Sequence, residues 1–307
     1  MIRVTFLGTA ASRPTVARNV SALMVQREGD HWLFDCGEGT QRQMMRYGTG
    51  FSLEGIFITH MHADHFLGVI GLLRTLALQG RTDPLPVHGP PGSESLLQTA
   101  IFLGQGRLPF DVPIREMVPG ERVVRDEYDI EAIAVRHGTR AVGYRLREHD
   151  RPGRFDVERA RALGVPEGPL FGRLHRGETV DGAEGPVRPD DVVGPPRPGR
   201  LVVYTGDTRP SEEVEAAAAG ADLLIHDATF ASDEADRARE TGHSTAAEAA
   251  GVALKAGVRR LALTHLSSRY SANATPLERE ARAVFPEAVV ARDGLEIELE
   301  YEQEEET

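Results

Sequence analysis

The 307-residue chain has a single cysteine, Cys36. No disulfide can form within it, and a thiolate metal site is excluded. No apolar run reaches the ~20 residues of a membrane-spanning helix. No repeat with a period of roughly 20–50 residues marks a solenoid. The first residues, Met1-Ile2-Arg3-Val4-Thr5-Phe6-Leu7-Gly8, go directly into a strand pattern and lack the layout of a signal peptide. Aromatic residues are few at 6%, but 40% hydrophobic and 27% charged residues describe an ordinary globular chain. A cytoplasmic protein without a membrane partner is expected.

Positive charge is also scarce. The formal charge is −12, which argues at first against a nucleic-acid partner. Its distribution softens that argument. Residues 293–307 carry eight acids and no Lys or Arg, and an acidic tail is expected over 301–307. Residues 145–176 carry eight Arg against five acids, a local excess of three. A local basic segment can bind a polyanion on an acidic body, because salt screens the remainder.

What the chain does have is Phe57-Ile58-Thr59-His60-Met61-His62-Ala63-Asp64-His65-Phe66-Leu67-Gly68. A short apolar strand from Gly55 to Thr59 stops at three His and one Asp. A helix then follows on Leu67, Ile70, Leu73 and Leu76. Imidazole and carboxylate are the ligands of an open, catalytic metal site. Unpaired polar groups between two buried elements would be costly, so a mere His-rich loop is disfavoured.

Downstream, strand patterns repeatedly end in such residues. Ile130–Val135 leads to His137, Leu201–Thr205 to Asp207, Asp222–His226 to Asp227 and Arg260–Leu263 to His265. Ligands at the ends of several strands converge on one sheet edge. The expected fold is α/β, a sandwich of two sheets. Residues 147–199, with eight Pro and nine Gly, break the rhythm. They suggest an irregular projecting arm inserted in a single domain over 1–307, with only Asp156–Leu163 helical.

Seven residues suit a dinuclear site. His60, His62 and His137 would hold one ion, Asp64, His65 and His265 the other, and Asp207 would bridge. Two ions activate water at near-neutral pH and clamp a phosphodiester. His243, before a helix capped by Ser244 or Thr245, is the candidate proton donor, with Asp227 to orient it. Catalytic roles therefore fall to Asp64, His243 and Asp227. His226 is expected to be structural, and Cys36 a small buried residue.

His60-Met61-His62-Ala63-Asp64-His65 matches the HxHxDH signature of the metallo-β-lactamase fold, a resemblance that implies a four-layer αβ/βα sandwich with a projecting flexible arm. With Phe6-Leu7-Gly8-Thr9, Asp35-Cys36-Gly37-Glu38-Gly39-Thr40-Gln41, Gly206-Asp207-Thr208-Arg209, His226-Asp227-Ala228-Thr229-Phe230, His243-Ser244-Thr245 and Leu263-Thr264-His265, the chain resembles short-form ribonuclease Z over residues 2–300. The resemblance implies a metal-dependent endoribonuclease that removes the 3′ trailer from tRNA precursors. It would cut after the discriminator base and leave a 3′-hydroxyl, using a metal-activated hydroxide. It also implies two zinc ions per subunit (His/Asp sites accept Mn or Fe as well). The 147–199 segment, with Gly164-Val165-Pro166-Glu167-Gly168-Pro169-Leu170, resembles that family's tRNA-gripping arm, an exosite that one subunit of a homodimer presents to the other. RNA contacts are then expected from Arg18, Asn19, Arg151, Arg154, Arg159, Arg161 and Arg173. Three departures stand out: Ala63 for Gly, Val16 for Lys in the PxKxRN loop, and Asp227 for Glu.

Two other readings share the motif. One is a small-molecule hydrolase, such as a cyclic phosphodiesterase, sulfatase-like enzyme or lactonase. The other is a silent RNA-binding scaffold, which should hold well under two equivalents of metal.

Overall fold

Two mixed sheets carry the chain, described in a computed structural model over residues 1–103 and 106–301. The first sheet runs, in spatial order, Glu296–Leu299, Ile2–Gly8, Ala22–Arg27, Asp30–Phe34, Gly55–Phe57, Val87–Gly89 and Ile114–Glu116. Pairing is antiparallel up to Asp30–Phe34 and parallel from there on. The second runs Ala288–Val290, Leu261–Thr264, Leu223–Asp227, Leu201–Tyr204, Val142–Glu148, Tyr128–Ala134 and Arg122–Val124, parallel among its first four strands.

Helices cover the outer faces. Met44, Val69, Leu72, Leu73, Leu76 and Leu97 form a core with the first sheet, while Val214, Ala246, Ala249, Ala253, Leu277 and Ala281 form one with the second. Between the sheets, Phe57 lies 5.0 Å from Tyr144 and 5.1 Å from Phe34, centroid to centroid. This is the expected four-layer sandwich. Of the positions expected on the buried face of the helix after the ligand motif, Leu73 and Leu76 are buried together with Val69 and Leu72, whereas Leu67 is exposed. The reason is a break: a short helix, Ala63–Phe66, carries the ligands, and a second, Gly68–Leu78, starts at Gly68. A Cβ at Gly68 would lie 1.9 Å from the Gly37 carbonyl oxygen, so the two loops meet only because no side chain intervenes.

Residues 125–129 and 147–199 form a second compact unit. The expected helix is present as Val157–Ala162, but the rest, expected to be irregular, holds a second helix, Pro169–His175, and a hairpin of Val180–Gly182 with Gly185–Val187. It has its own core of Ala160, Val165, Leu174, Val180, Val187 and Val192. The Pro and Gly residues punctuate short elements that bury a small apolar cluster, which period-based reading cannot detect. Of the acidic tail only Tyr301 is among the described residues; its ring lies 3.9 Å from the Arg200 guanidinium carbon.

Candidate active site

The sandwich gathers its ligands at the C-terminal ends of strands. Gly55–Phe57 leads to His60, Tyr128–Ala134 to His137, Leu201–Tyr204 to Asp207, and Leu261–Thr264 to His265. A bridge between His60 and Ala141, with the Val142 N–H donating to the Thr59 carbonyl at 2.9 Å, ties the two sheets at this edge.

Two sets of lone-pair atoms result. In the first, His62 Nδ1 lies 3.0 Å from His60 Nε2 and 3.3 Å from His137 Nε2. Asp207 Oδ2 lies 3.4 Å from His60 Nε2 and 3.9 Å from His137 Nε2. In the second, His65 Nε2 and His265 Nε2 are 3.4 Å apart. Asp64 Oδ2 lies 3.6 and 3.3 Å from them, and Asp207 Oδ1 3.4 and 3.3 Å. Ligand atoms around a tetrahedral ion with bonds of ~2.0–2.1 Å stand about 3.4 Å apart, so both sets have the right size. Asp207 faces one set with each oxygen, and its Oδ1 is buried without a hydrogen-bond partner among the described residues. A buried carboxylate oxygen left open in this way fits a divalent cation, and each set can hold one.

The imidazoles are locked from behind. His60 Nδ1 meets Thr59 Oγ1 at 3.0 Å, His65 Nδ1 donates to Asp35 Oδ2 at 2.7 Å, His137 Nδ1 to the Gly242 carbonyl at 2.9 Å, and His265 Nδ1 contacts Thr229 Oγ1 at 2.9 Å. Such partners fix the ring and leave the other nitrogen to the metal. Asp35, fully buried, also accepts from Thr59 N, Thr59 Oγ1 and Tyr204 Oη. Sequence reasoning missed Asp35, Thr59 and Thr229. An acid closing an apolar strand was the signal for Asp35; the two threonines gave none. Asp35 and His265 adopt left-handed φ of 56° and 58°, and Ser12 of 61°, its N–H donating to Asp64 Oδ2 at 2.6 Å. Such strain concentrates where geometry is over-determined. Ala63 has no such φ, so its methyl is accommodated at the helix start.

Charge is distributed to suit a cation. Burial, and then neighbouring imidazoles, hold His60 and His62 below the usual histidine range, in the neutral form that binds metal. Burial alone would raise the Asp207 carboxyl, but His265, His65 and His60 hold it well below the carboxylate range. Burial also opposes charge on His65, yet Asp207 and Asp35 draw its pKa well up; a divalent ion would take the place of that proton.

His243 stands beside both sets without completing either. Its Nδ1 donates directly to Asp227 Oδ2 at 2.8 Å, so the shorter carboxylate reaches the ring. Asp227 is fully buried and also accepts from Thr208 N, Thr229 N and Thr229 Oγ1. Burial opposes charge on His243, but Asp227 and then Asp207 lift its pKa to about 9. His226 is fully buried with Nδ1 on the Asp227 carbonyl, in keeping with a structural role.

The expected RNA-contacting residues have partners within the chain. The Arg18 guanidinium is half-buried and donates to Thr9 Oγ1 and to the Ala291 carbonyl. Asn19 donates through its side chain to the Glu38 carbonyl and through its N–H to Asp293. Both brace the loop, while Val16 at its tip is fully exposed. In the second unit Arg161 pairs with Glu158 and Glu167, Arg173 with Glu178, and Arg159 donates to the Asp191 carbonyl. Arg151 and Arg154 are also engaged. Residues 147–199 carry nine Arg against ten acids, so the basic excess of 145–176 is offset a few residues later.

Two ligand sets sharing one carboxylate on the edge of an αβ/βα sandwich define a metallo-β-lactamase-fold hydrolase able to hold divalent metal. Residues 192–266 match the beta-lactamase superfamily domain, and residues 2–84 the family described as anti-Pycsar protein Apyc1. Ribonuclease Z of Gemmatimonas aurantiaca is 57% identical over 304 residues, 98% of this chain and 97% of that one. Ribonuclease Z of Haloferax volcanii is 54% identical over 303 residues, 98% and 96% of the two chains. The crystal structure of human tRNase Z, short form, has a TM-score of 0.72 at 28% identity, covering 97% of this chain and all of that one. The chain belongs to the ribonuclease Z family, and it is an endoribonuclease. Among the described residues no helix is long and apolar enough to cross a membrane.

Proposed function

We propose that the chain removes the 3′ trailer from tRNA precursors, cutting after the discriminator base and leaving a 3′-hydroxyl on the tRNA. The observation that carries this is the pair of facing ligand sets around Asp207, in a chain more than half identical to ribonuclease Z along nearly its whole length. His60, His62, His137 and Asp207 would hold one zinc ion, and Asp64, His65, His265 and Asp207 the second. Two such ions supply activated water and positive charge for the phosphodiester oxygens. Asp64 is held toward its set by the Ser12 N–H. Asp227 fixes His243 Nδ1, so Nε2 carries the proton given to the departing 3′-oxygen. Attack at phosphorus on one side and protonation on the other leave the phosphate on the trailer. The proposed setting is the cytoplasm, and the proposed assembly a homodimer.

Incubation with 3′-extended precursors, with and without CCA, should give a single cut after the discriminator base. Chelation should abolish it and Zn²⁺ or Mn²⁺ restore it, with two equivalents of metal bound in the active protein. A cut elsewhere, or metal well under two equivalents in active protein, overturns the reading.

The 147–199 unit is proposed as the tRNA exosite. Arg151 and Arg197 form an antiparallel backbone bridge, with N–H to carbonyl distances of 2.8 and 2.9 Å, so the chain enters and leaves this unit side by side. Replacing 152–196 with a short glycine linker should therefore weaken precursor binding but spare hydrolysis of bis(p-nitrophenyl) phosphate. Loss of both would mean that the unit is structural.

A further inference from the structure

Beside His137 lies a cavity of about 330 Å³ lined by Arg136, Arg209, Arg239, Glu240 and Gly242 together with His137 itself. Two of its arginines are built in with the ligands. Arg136 directly precedes His137, and Arg209 follows Asp207 by two residues. The Arg209 N–H donates to the Arg136 carbonyl at 2.8 Å, and the Arg136 N–H to Thr208 Oγ1 at 3.0 Å. Gly242 forms the facing wall with φ 77°, and a Cβ there would lie 2.9 Å from Gly138 N and 3.1 Å from His137 Nδ1. The wall closes on His137 only because this residue is glycine.

Three arginines line the pocket against one acidic residue, Glu240. Arg136 pairs with Glu213 and Arg239 with Asp236, both pairs solvent-exposed and so readily exchanged for a stronger anion. Half-buried Arg209 has no side-chain hydrogen bond or ion pair among the described residues. A partly desolvated guanidinium without a counter-ion favours an anion, and its planar fork matches two phosphate oxygens.

We propose that this pocket is a subsite for a backbone phosphate of the RNA, anchored by Arg209. It would take the phosphate on the 5′ side of the last retained nucleotide. The direction follows from His243, which is next in sequence to Gly242 and gives its proton to the 3′-oxygen of that nucleotide. The proposal rests on the tRNA-processing reading.

The test compares the wild type with Arg209→Ala and Arg209→Lys on a 3′-extended precursor and on bis(p-nitrophenyl) phosphate, which has no flanking phosphate. Arg209→Ala should lower kcat/KM on the precursor roughly ten- to a hundredfold, the worth of a charge-assisted hydrogen bond. The loss on the small diester should be several-fold smaller, and Arg209→Lys should recover part of the loss. Neutralising the chosen linkage as a methylphosphonate should slow the wild type by a similar factor and Arg209→Ala hardly at all. Equal losses on both substrates, or equal sensitivity of both proteins to the neutral linkage, would overturn the subsite. A wild type inert on the precursor would instead overturn the substrate reading, and the subsite with it.

Discussion

Asp207→Ala is expected to abolish precursor cleavage, by roughly four orders of magnitude or more, while the protein still binds precursor. Asp207 is the one residue whose two oxygens face both sets, at 3.3–3.4 Å from His265, His65 and His60. Removing it takes a ligand from each set and the one negative charge that the two share. The first set is left with three imidazoles and no carboxylate. His62→Ala is a sharp comparison, since His62 belongs to one set only and lies at the exposed edge. It should also stop cleavage, but retain about one equivalent of metal where Asp207→Ala retains less. Single-turnover cleavage, bound metal and precursor Kd measured on the same preparations decide this. An Asp207→Ala protein with a tenth of wild-type activity and full metal would refute the assignment of Asp207. Weakened binding in step with cleavage would mean that the ligand region itself grips the RNA.

The seven candidate ligands were legible in the sequence because each follows an apolar strand, and a polar residue at a strand end has few structural reasons to be His or Asp. The groups behind the rings were not. Thr59 and Thr229 are ordinary residues whose roles appear only when Thr59 meets Asp35 and Thr229 meets Asp227 and His265. The sandwich was legible for a similar reason, since its central strands are continuous apolar runs. Edge strands Ile114–Glu116 and Arg122–Val124 escaped notice, because three-residue strands with charged side chains have no period to detect. Arg18 was named through the resemblance of its loop, and what the sequence hid are its protein partners: Thr9, Ala291 and Asp293 come from both ends of the chain. Only the fold brings them together.

His243→Ala is expected to lower the rate of cleavage roughly a hundred- to ten-thousandfold, the usual worth of a positioned general acid, with metal content unchanged. Asp227→Asn should not behave as its silent partner. If Asp227 acted only by holding His243, the second change would cost nothing in a protein already lacking the imidazole. The geometry says otherwise. Asp227 Oδ2 holds His243 Nδ1 at 2.8 Å, but Oδ1 accepts from Thr229 Oγ1 at 2.7 Å, and that hydroxyl meets His265 Nδ1 at 2.9 Å. One carboxylate therefore steadies the proton donor and, through a threonine, a ligand of the second set. Outer partners of this kind are commonly worth about ten- to a hundredfold in metal affinity. The double variant should thus cleave more slowly than His243→Ala at limiting zinc, and saturating zinc should erase the difference. Thr229→Ala should reproduce the zinc dependence while leaving the donor in place. If the double variant matches His243→Ala at every zinc concentration, the relay through Thr229 carries no energy and Asp227 serves His243 alone.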